Sequence, residues 1–262
     1  MEFYKYQGTG NDFVMIDNRS GEYDNLSIQD IQKLCDRRFG IGADGLIKIN
    51  SSEDTNFEVD YYNSDGSKSF CGNGARCSVA FAHFLGIFKD SKTTFIAIDG
   101  YHEAEITEGI IKLKMSNVDV INTDGDDSVL NTGSPHYVKY VENISNYKVF
   151  EQGNSIRNSE KYKEKGINVN FVENISSDEI FVRTYERGVE DETLSCGTGV
   201  TASALTFLQK NNLTSVKVKT LGGNLKVYAH KNGATFNDIW LEGPAKQVFR
   251  GEVDLAKEND NF

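Results

Sequence analysis

Two stretches of the chain share one pattern of apolar and polar positions. In the first stretch, alternating apolar residues predict a strand at residues 57–62, and a polar turn follows at residues 63–66. Residues 75–85 then carry few polar side chains, which is typical of a helix buried on nearly all sides, and Gly86 is suited to end it. The helix is preceded by Cys71-Gly72-Asn73-Gly74. The pattern therefore predicts a buried helix with a cysteine and bare backbone amides at its N-terminus.

The same pattern recurs in the second half of the chain. Residues 180–185 predict a strand, residues 186–192 a polar loop, and residues 200–208 a second buried helix. This helix is preceded by Cys196-Gly197-Thr198-Gly199. The copies lie too far apart for a solenoid repeat, so they indicate two related domains in one chain. Two such domains facing each other would bring both thiols and both helix N-termini to one cleft.

Further strands are predicted along the whole chain wherever apolar residues alternate between turn signals. Ser27 is suited to cap an amphipathic helix, and Cys35 is expected in the core as part of its apolar face. That face consists of Ile28, Ile31, Leu34 and Cys35. A charged surface helix is expected at residues 154–162. The other predicted strands are residues 3–6, 13–17, 46–49, 93–98, 104–107, 111–115, 135–141, 168–172, 216–220, 224–230, 234–241 and 248–255.

A cysteine at a helix N-terminus favours a specific chemistry. The exposed N–H groups and the partial positive charge of a helix end bind a carboxylate, and they lower the pKa of a cysteine from its free value of roughly 8.5. Neutralising the carboxylate acidifies the neighbouring Cα–H bond, and the same donors stabilise the enolate-like charge that develops. One thiolate would remove the proton while the opposite thiol delivers one to the other face. This is the chemistry of a cofactor-independent amino-acid racemase or epimerase.

Composition narrows the class of partner. The chain has 262 residues and a formal net charge of −11, which argues against nucleic acid and anionic membranes and favours a small-molecule partner. Residues 1–6 do not resemble a signal peptide, and no apolar run approaches the ~20 residues that span a bilayer. We therefore expect a soluble, cytoplasmic protein. Four cysteines in this length do not form a disulfide framework.

Other uses of the cysteines remain open at this stage. Cys71 and Cys77 lack the short spacing of zinc ligands and the four histidines are scattered, so no metal site is expected. A cysteine hydrolase would pair one thiolate with a histidine such as His136, but it would not need a second thiol at a second helix. His136 is otherwise a hydrogen-bonded structural histidine. A non-enzymatic redox pair of the two cysteines is a further alternative.

Several motifs along the chain together match one known family. They are residues 8–13, 40–45, 71–77, 133–136, 186–188 and 196–199, together with Asn63, Asp65, Gly66 and Asn168. In these motifs, and over essentially its whole length, the chain resembles the diaminopimelate epimerase family. The resemblance implies a cofactor-independent, two-thiol conversion of LL- to meso-2,6-diaminopimelate, in lysine and peptidoglycan precursor synthesis. A racemase or epimerase of another amino acid on the same fold is the alternative. A homodimer is the family expectation, with a contact near Phe249.

The resemblance also implies roles for individual residues. Cys71 and Cys196 would be the catalytic thiols, with Cys196 accepting the proton of the LL isomer and Cys71 supplying the new one. His136 and Glu186 would tune their pKa values. Arg187 would hold the distal carboxylate with its planar fork. The remaining substrate-binding residues are expected to be Asn11, Asn63, Gly72, Asn73, Asn168, Glu186, Gly197 and Thr198.

The fold class expected from these features is α/β, of the α+β type. Each of two similar domains would hold a mixed, mostly antiparallel sheet curled around one buried helix, with the active-site cleft between them. The predicted domains are residues 1–117 with 248–262, and residues 118–247, with the crossover near Asn117. Two positions depart from the family pattern. Gly45 stands where some members carry Gln, and Ser134 where many carry Asn, which changes the expected polar contacts.

Overall fold

The computed structural model describes residues 1–255, and within them the chain is rich in strands and has few helices. The strands are β1 (Glu2–Gly8), β2 (Asn11–Asp17), β3 (Gly45–Asn50), β4 (Phe57–Asn63), β5 (Lys92–Ala97), β6 (Gly100–Thr107), β7 (Ile110–Met115), β8 (Asn122–Asp124), β9 (Asp127–Asn131), β10 (Pro135–Tyr140), β11 (Asn168–Asn174), β12 (Glu179–Glu186), β13 (Asp191–Thr193), β14 (Ser215–Thr220), β15 (Gly223–Asn232), β16 (Thr235–Pro244) and β17 (Lys246–Glu252). The helices are α1 (Ile28–Cys35), α2 (Gly72–Phe84), α3 (Val149–Arg157) and α4 (Gly197–Asn211), with a short 3₁₀ helix at Ile144–Asn146.

The described chain divides into two compact units. The first contains Met1–Gly8, Asp12–Gly109 and the segment from Ala245 onward, and the second contains Thr9–Asn11 and Ile110–Pro244. Residues 256–262, which the first predicted domain includes, lie outside the described residues.

The first unit is built on strands that alternate between parallel and antiparallel pairing. β2 pairs with β3 in parallel, β3 with β4 antiparallel, β4 with β5 in parallel and β5 with β6 antiparallel. Parallel neighbours need a crossover connection, and here α1 joins β2 to β3 while α2 joins β4 to β5. β1 pairs antiparallel with β17 in the same unit.

The second unit repeats this order of pairings. β10 pairs with β11 in parallel, β11 with β12 antiparallel, β12 with β14 in parallel and β14 with β15 antiparallel. The two parallel pairs are again joined by helices, α3 and α4. The repeat predicted from two cysteine motifs therefore extends to a whole strand–helix arrangement. The predicted fold class, a mixed and mostly antiparallel α/β architecture, is confirmed.

The two cysteine-led helices occupy the cores of their own units. α4 packs on β10, β11, β12, β14 and β15, and every residue from Gly199 to Leu208 is buried. α2 packs on β1, β3, β4 and β6, and only its last turn reaches solvent, where Phe84 is 51% exposed. The largely apolar runs in the sequence predicted this burial because a helix without a polar face has no side suited to water. Gly86 follows α2 with a φ of 71°, as expected for a helix stop.

α1 confirms one prediction and corrects another. Ser27 accepts a hydrogen bond from the Asp30 backbone N–H, and the Asp30 side chain accepts one from the Ser27 backbone, so the two form a capping box. Cys35 is buried in the core with Ile31 and Leu34. Ile28 was expected on this apolar face but is 54% exposed. As the first helical residue it lies over Gly66 rather than in the core.

Several boundaries differ from the predicted ones. The surface helix expected at residues 154–162 is α3, Val149–Arg157, which begins earlier because Val149 is buried and Gly153 lies against the ring of Tyr185. The charged residues after Arg157 form turns instead. The short strands β8 and β9 lie where no strand was predicted, and β13 begins in the polar loop expected at residues 186–192. Backbone pairing stabilises all three without an alternating apolar pattern. The strand expected at residues 248–255 is β17, which ends at Glu252.

None of the helices within residues 1–255 combines the length and the apolar character that crossing a membrane requires.

Candidate active site

Cys71 is the N-cap residue of α2. Its backbone is extended (φ −132°, ψ 115°), and its Sγ accepts a hydrogen bond from the backbone N–H of Gly74 at 3.5 Å. This donor belongs to the first turn of the helix, where N–H groups have no intrahelical partner. Gly72 and Asn73, which were predicted to bind a carboxylate through backbone N–H groups, form the same buried first turn. The local geometry favours negative charge at Sγ.

A fully buried arginine that the sequence analysis did not single out lies in this turn. The Arg76 Nη2 atom donates to Asn73 Oδ1 at 2.9 Å, so the Asn73 side chain holds the arginine while its backbone remains part of the helix end. Burial lowers the pKa of Arg76, and electrostatic interactions with the neighbouring Cys77 and Cys71 oppose that shift. The sequence does carry a signal for it, because Arg76 is the one arginine inside an otherwise apolar helical run.

Asn63, a predicted substrate-binding residue, ends β4 and organises the turn that leads to Cys71. Its Oδ1 atom accepts from the hydroxyl of Tyr61 at 2.8 Å, and its Nδ2 atom donates to Ser67 Oγ at 3.0 Å and Ser69 Oγ at 3.1 Å. Gly45 pairs with Asn63 across the sheet. A Cβ atom at position 45 would lie 2.5 Å from the Tyr61 ring, which explains why this position carries no side chain.

Cys196 is the corresponding N-cap residue of α4 in the second unit. Its backbone is likewise extended (φ −114°, ψ 111°), and the residue is buried. Its Sγ atom lies 3.5 Å from the hydroxyl oxygen of Thr198, at the third position of the motif. The two cysteines therefore share a backbone geometry but have different contacts: a backbone amide at Cys71 and a side-chain hydroxyl at Cys196.

His136 is fully buried on β10, and both of its ring nitrogens make hydrogen bonds. Nε2 lies 2.9 Å from Ser134 Oγ, and Nδ1 lies 3.1 Å from Asn170 Nδ2. Burial, helped by the nearby charge of Arg187, lowers the pKa of His136 to about 3. The imidazole is therefore neutral at physiological pH.

Asn168 joins this histidine to the predicted carboxylate-binding arginine. Its Oδ1 atom accepts the backbone N–H of Arg187 at 2.9 Å, while Nδ2 donates to Ser134 Oγ at 3.1 Å and to the Pro135 carbonyl at 3.2 Å. The Arg187 Nη1 atom in turn donates to the Lys165 carbonyl at 2.8 Å. Arg187 is half-buried, so its guanidinium is held from the protein side and still reaches solvent.

The last two predicted residues of this unit are Glu186 and Asn11. Glu186 ends β12, where its Oε2 atom accepts from the hydroxyl of Thr193 on β13 at 3.0 Å. Asn11 follows a tight turn in which Thr9 and Gly10 have positive φ values of 51° and 87°. Both residues are half-buried.

The structure thus connects most of the predicted residues of the second unit through hydrogen bonds. Cys196, Thr198, His136, Asn168 and Arg187 all belong to one network. Sequence reasoning missed two members, Ser134 and Asn170, although Ser134 was noted as a departure from the family pattern. Asn170 has a signal in hindsight, since residues two apart on a strand share a face and Asn168 was already a candidate.

No group of three or more histidine, cysteine or acidic side chains within residues 1–255 is arranged to hold a metal ion. All four cysteines are present as thiols. Burial raises the pKa of Cys35 to about 12, and burial likewise raises the pKa of Cys77 strongly. These two thiols are packing residues.

Comparison with known sequences identifies relatives over nearly the full chain. The family model described as "Diaminopimelate epimerase" matches residues 3–120 and 128–248. A protein named diaminopimelate epimerase from Flavobacterium psychrophilum is 52% identical over 257 residues, covering 97% of this chain and 100% of the relative. One of the same name from Chlorobaculum tepidum is 41% identical over 262 residues, covering 95% of this chain and 99% of the relative.

Solved structures with low sequence identity share the fold. A phenazine biosynthesis protein of the PhzF family from Bacillus anthracis has a TM-score of 0.72 at 15% identity, covering 97% of this chain and 99% of that one. A hydroxyproline epimerase from Agrobacterium vitis has a TM-score of 0.71 at 11% identity, covering 98% and 93%. At such identities the likeness concerns the fold alone.

Proposed function

The chain belongs to the diaminopimelate epimerase family, and we propose that it interconverts LL- and meso-2,6-diaminopimelate by proton transfer at one α-carbon, without a cofactor. The observation that carries the proposal is the match along nearly the whole chain combined with the geometry of its two motifs. Each unit presents a cysteine in extended conformation at the N-terminus of a buried helix. The reaction belongs to the synthesis of lysine and of peptidoglycan precursors.

The proposed mechanism uses Cys71 and Cys196 as the two proton-transferring groups. Backbone N–H groups of Gly72, Asn73, Gly197 and Thr198 bind the reacting carboxylate and offset its charge. The Cα–H bond of the LL isomer breaks, its proton goes to the Cys196 thiolate, and the electron pair spreads into the carboxylate. The S–H bond of Cys71 then breaks as a new C–H bond forms on the opposite face. Each turnover leaves Cys196 as a thiol and Cys71 as a thiolate.

Recognition of the distal end is assigned to the polar residues around Arg187. Its fork suits a carboxylate, and Asn168 supports it by accepting the Arg187 backbone N–H. Glu186 is proposed to receive an ammonium group. Asn11 and Asn63 complete the polar recognition. A substrate without a second zwitterionic end would leave these groups unused, which favours diaminopimelate over proline-type substrates.

His136 and Glu186 are proposed to tune the catalytic thiols. His136 acts as a neutral hydrogen-bond donor, because its lowered pKa prevents it from carrying charge in the working pH range. Glu186 is fixed by Thr193 at the end of β12. Neither role requires a metal or a prosthetic group.

The enzyme is further proposed to work as a cytoplasmic homodimer. Two neighbouring apolar residues on β17 support a contact there, since Val248 is 58% and Phe249 47% exposed. The proposed domain division is the one expected from the sequence, residues 1–117 with 248–262 and residues 118–247. Light scattering of the parent and of a Phe249→Glu variant tests the dimer. The parent should have the mass of a dimer and the variant that of a monomer, and equal masses would rule out β17 as the contact.

The experiment that tests the function is an assay of purified protein with LL-diaminopimelate and no added cofactor, read by chiral chromatography. The parent should form the meso isomer, while Cys71→Ser and Cys196→Ser should each lose nearly all turnover. Cys35→Ala is the matched control, because it removes a thiol whose pKa burial raises to about 12. Turnover of proline or another amino acid instead would support the racemase alternative. A parent that turns over none of them would leave only a non-enzymatic role for the cysteines.

A further inference from the structure

A chain of side chains links the buried imidazole of His136 to the sulfur of Cys196. His136 Nε2 lies 2.9 Å from Ser134 Oγ, Ser134 Oγ lies 3.2 Å from Thr198 Oγ1, and Thr198 Oγ1 lies 3.5 Å from Cys196 Sγ. Hydroxyl groups both donate and accept, so distances alone do not give the direction of these bonds. The direction follows from two amide side chains, Asn170 and Asn168, that bond His136 and Ser134.

Asn170 fixes the proton of His136. Its Nδ2 atom donates to the Tyr137 carbonyl at 2.9 Å, and its Oδ1 atom accepts from the Thr184 hydroxyl at 3.0 Å. Reversing the amide would place two acceptors against each other at Tyr137. The amide nitrogen therefore faces His136 Nδ1, so Nδ1 is the acceptor and the single proton of the neutral ring lies on Nε2.

Asn168 fixes the hydroxyl of Ser134 in the same way. Because Asn168 Oδ1 accepts the Arg187 backbone N–H, its Nδ2 atom faces Ser134 Oγ as a donor. Ser134 Oγ thus accepts two hydrogens, one from Asn168 and one from His136 Nε2. With both lone pairs occupied, its own hydrogen can only be donated onward, to Thr198 Oγ1.

We propose that Ser134 is a positioning residue for the reaction: it occupies an acceptor site of Thr198, so that the Thr198 hydroxyl donates its hydrogen to Cys196 and stabilises the thiolate. Hydrogen bonds to a charged acceptor are stronger than those to a neutral one, so this donor acts more on the thiolate than on the thiol. Cys71 receives the corresponding donor from the Gly74 backbone. In the second unit the donor comes from a side chain whose orientation depends on residue 134.

The titratable residues with a recorded link to this network are His136 itself and Arg187, whose backbone N–H is bound by Asn168 and whose charge acts on His136. Glu186 precedes Arg187 at the end of β12, where its side chain accepts from Thr193. His136 does not change charge near neutral pH, since burial lowers its pKa to about 3. A titration of Cys196 near neutral or alkaline pH therefore reports the thiol and its donors rather than the histidine.

The first experiment measures alkylation of Cys196 by iodoacetamide against pH, resolved by peptide mass spectrometry in the otherwise intact protein. Removing the donor with Thr198→Val should move the midpoint upward by about one pH unit, which is about tenfold less thiolate below the midpoint. Ser134→Ala should move it in the same direction by about half as much, while Thr198→Ser should retain the parent midpoint. The Cys71 peptide serves as the internal reference and should not shift.

Ser203→Ala is the matched control. Ser203 lies in the same helix as Thr198, and its hydroxyl donates to the Gly199 carbonyl at 2.8 Å. The substitution therefore removes a buried hydroxyl without changing a member of the network. A parent-like midpoint in Ser134→Ala, or an equal shift in Ser203→Ala, overturns the proposal. The catalytic consequence of this proposal rests on the proposed function. Alkylation is measured without turnover, so the role of Ser134 and the proposed epimerase activity can fail separately.

A second measurement uses the parent protein and covers the case in which Ser134→Ala does not fold. In protein labelled with ¹⁵N-histidine, the His136 signals should show Nδ1 without a proton and Nε2 with one. The opposite tautomer would make Ser134 the donor to His136 and reverse the direction of the chain.

Discussion

The Nδ2 atom of Asn170 lies 3.1 Å from Nδ1 of His136, inside the second unit where neither residue reaches water. An amide donor at this position is compatible with a neutral imidazole and incompatible with a charged one, because the charged ring carries a proton on both nitrogens. Burial and the amide donor therefore both favour the neutral imidazole, and the donor fixes its tautomer with the proton on Nε2.

The first prediction concerns stability against pH. The pKa of His136 is about 3 in the folded chain and 6.5 as its ordinary value, so the unfolded chain binds more protons between these limits. The stabilisation is fully present above pH 6.5 and is lost as the pH falls toward 3. Between pH 7 and pH 5 this group should lower the free energy of unfolding by about 2 kcal/mol.

Urea denaturation of the parent and of His136→Gln at both pH values measures this contribution. The variant has no titrating group at this position, so its loss between pH 7 and pH 5 should be smaller than that of the parent by about 2 kcal/mol. Equal losses in the two proteins would show that His136 is already charged at pH 5.

The second prediction compares the equivalent glycines of the two motifs. In a helix, Gly→Ala normally stabilises by about 1 kcal/mol. A Cβ at Gly199 would overlap with Asn170 Oδ1, whereas one at Gly74 would lie 3.1 Å from the flexible end of Ile47. Gly199→Ala should therefore destabilise the chain by about 2 kcal/mol and displace Asn170 from His136.

Chemical denaturation of the two variants checks the sign. Gly74→Ala should be less destabilised than Gly199→Ala by at least about 1 kcal/mol. Similar values for both glycines would mean that Asn170 moves aside without cost.

The main features of the fold were predictable because they depend on apolar patterning. Runs without polar residues identified α2 and α4, and alternation identified most strands, since both patterns follow directly from burial. The strands β8 and β13 were not predictable, because they are short runs of mostly polar residues stabilised by backbone pairing. β9 was missed because its two apolar residues, Val129 and Leu130, are adjacent and do not alternate. The position of α3 depended on two buried residues, Val149 and Gly153, that are isolated in sequence.

The two cysteines were predictable for a different reason. Each is followed by glycines and a buried run, so the motif itself specifies a helix N-terminus. The network behind Cys196 was not predictable, because Ser134, Asn170 and Thr184 come from separate strands and loops. Only the parallel pairing of β10 with β11 and the antiparallel pairing of β11 with β12 bring them together.

The third prediction tests the capping box of α1. Ser27→Ala removes the acceptor for the Asp30 backbone N–H and should cost about 1 kcal/mol of stability, with turnover unchanged. Because the Asp30 side chain also accepts from Ser27, a double-mutant cycle with Asp30→Ala should give a coupling energy above about 0.5 kcal/mol. Additive losses would show that the two hydrogen bonds form independently.

The fourth prediction concerns the planar fork of Arg187. Arg187→Lys keeps the charge but removes two-point binding of a carboxylate, so kcat/KM should fall by roughly 10- to 100-fold, equivalent to about 1.5–3 kcal/mol. Arg19→Lys is the control, since Arg19 makes the same two-point contact with Asp17 on the surface. Steady-state kinetics that fall equally in both variants would point to a general effect of the substitution rather than to the substrate.

The last prediction tests whether two groups, rather than one, transfer the proton. With a single base, the group that removes the α-proton also returns one, so substrate and product would both gain deuterium from deuterated water. With Cys196 as acceptor and Cys71 as donor, the proton removed from LL-diaminopimelate stays on Cys196. The new hydrogen comes from Cys71, which has already exchanged with solvent.

Early meso product should therefore carry deuterium at the inverted carbon, while recovered LL substrate stays largely unlabelled. Mass spectrometry of both isomers at low conversion measures the two labels. Starting from the meso isomer, the thiols should exchange roles and the label should appear early in the LL product. Replacing either thiol by alanine leaves one face without its acid or base, so turnover should be lost in both directions. Equal early labelling of substrate and product would show that one group serves both faces, and the second cysteine would then need another role.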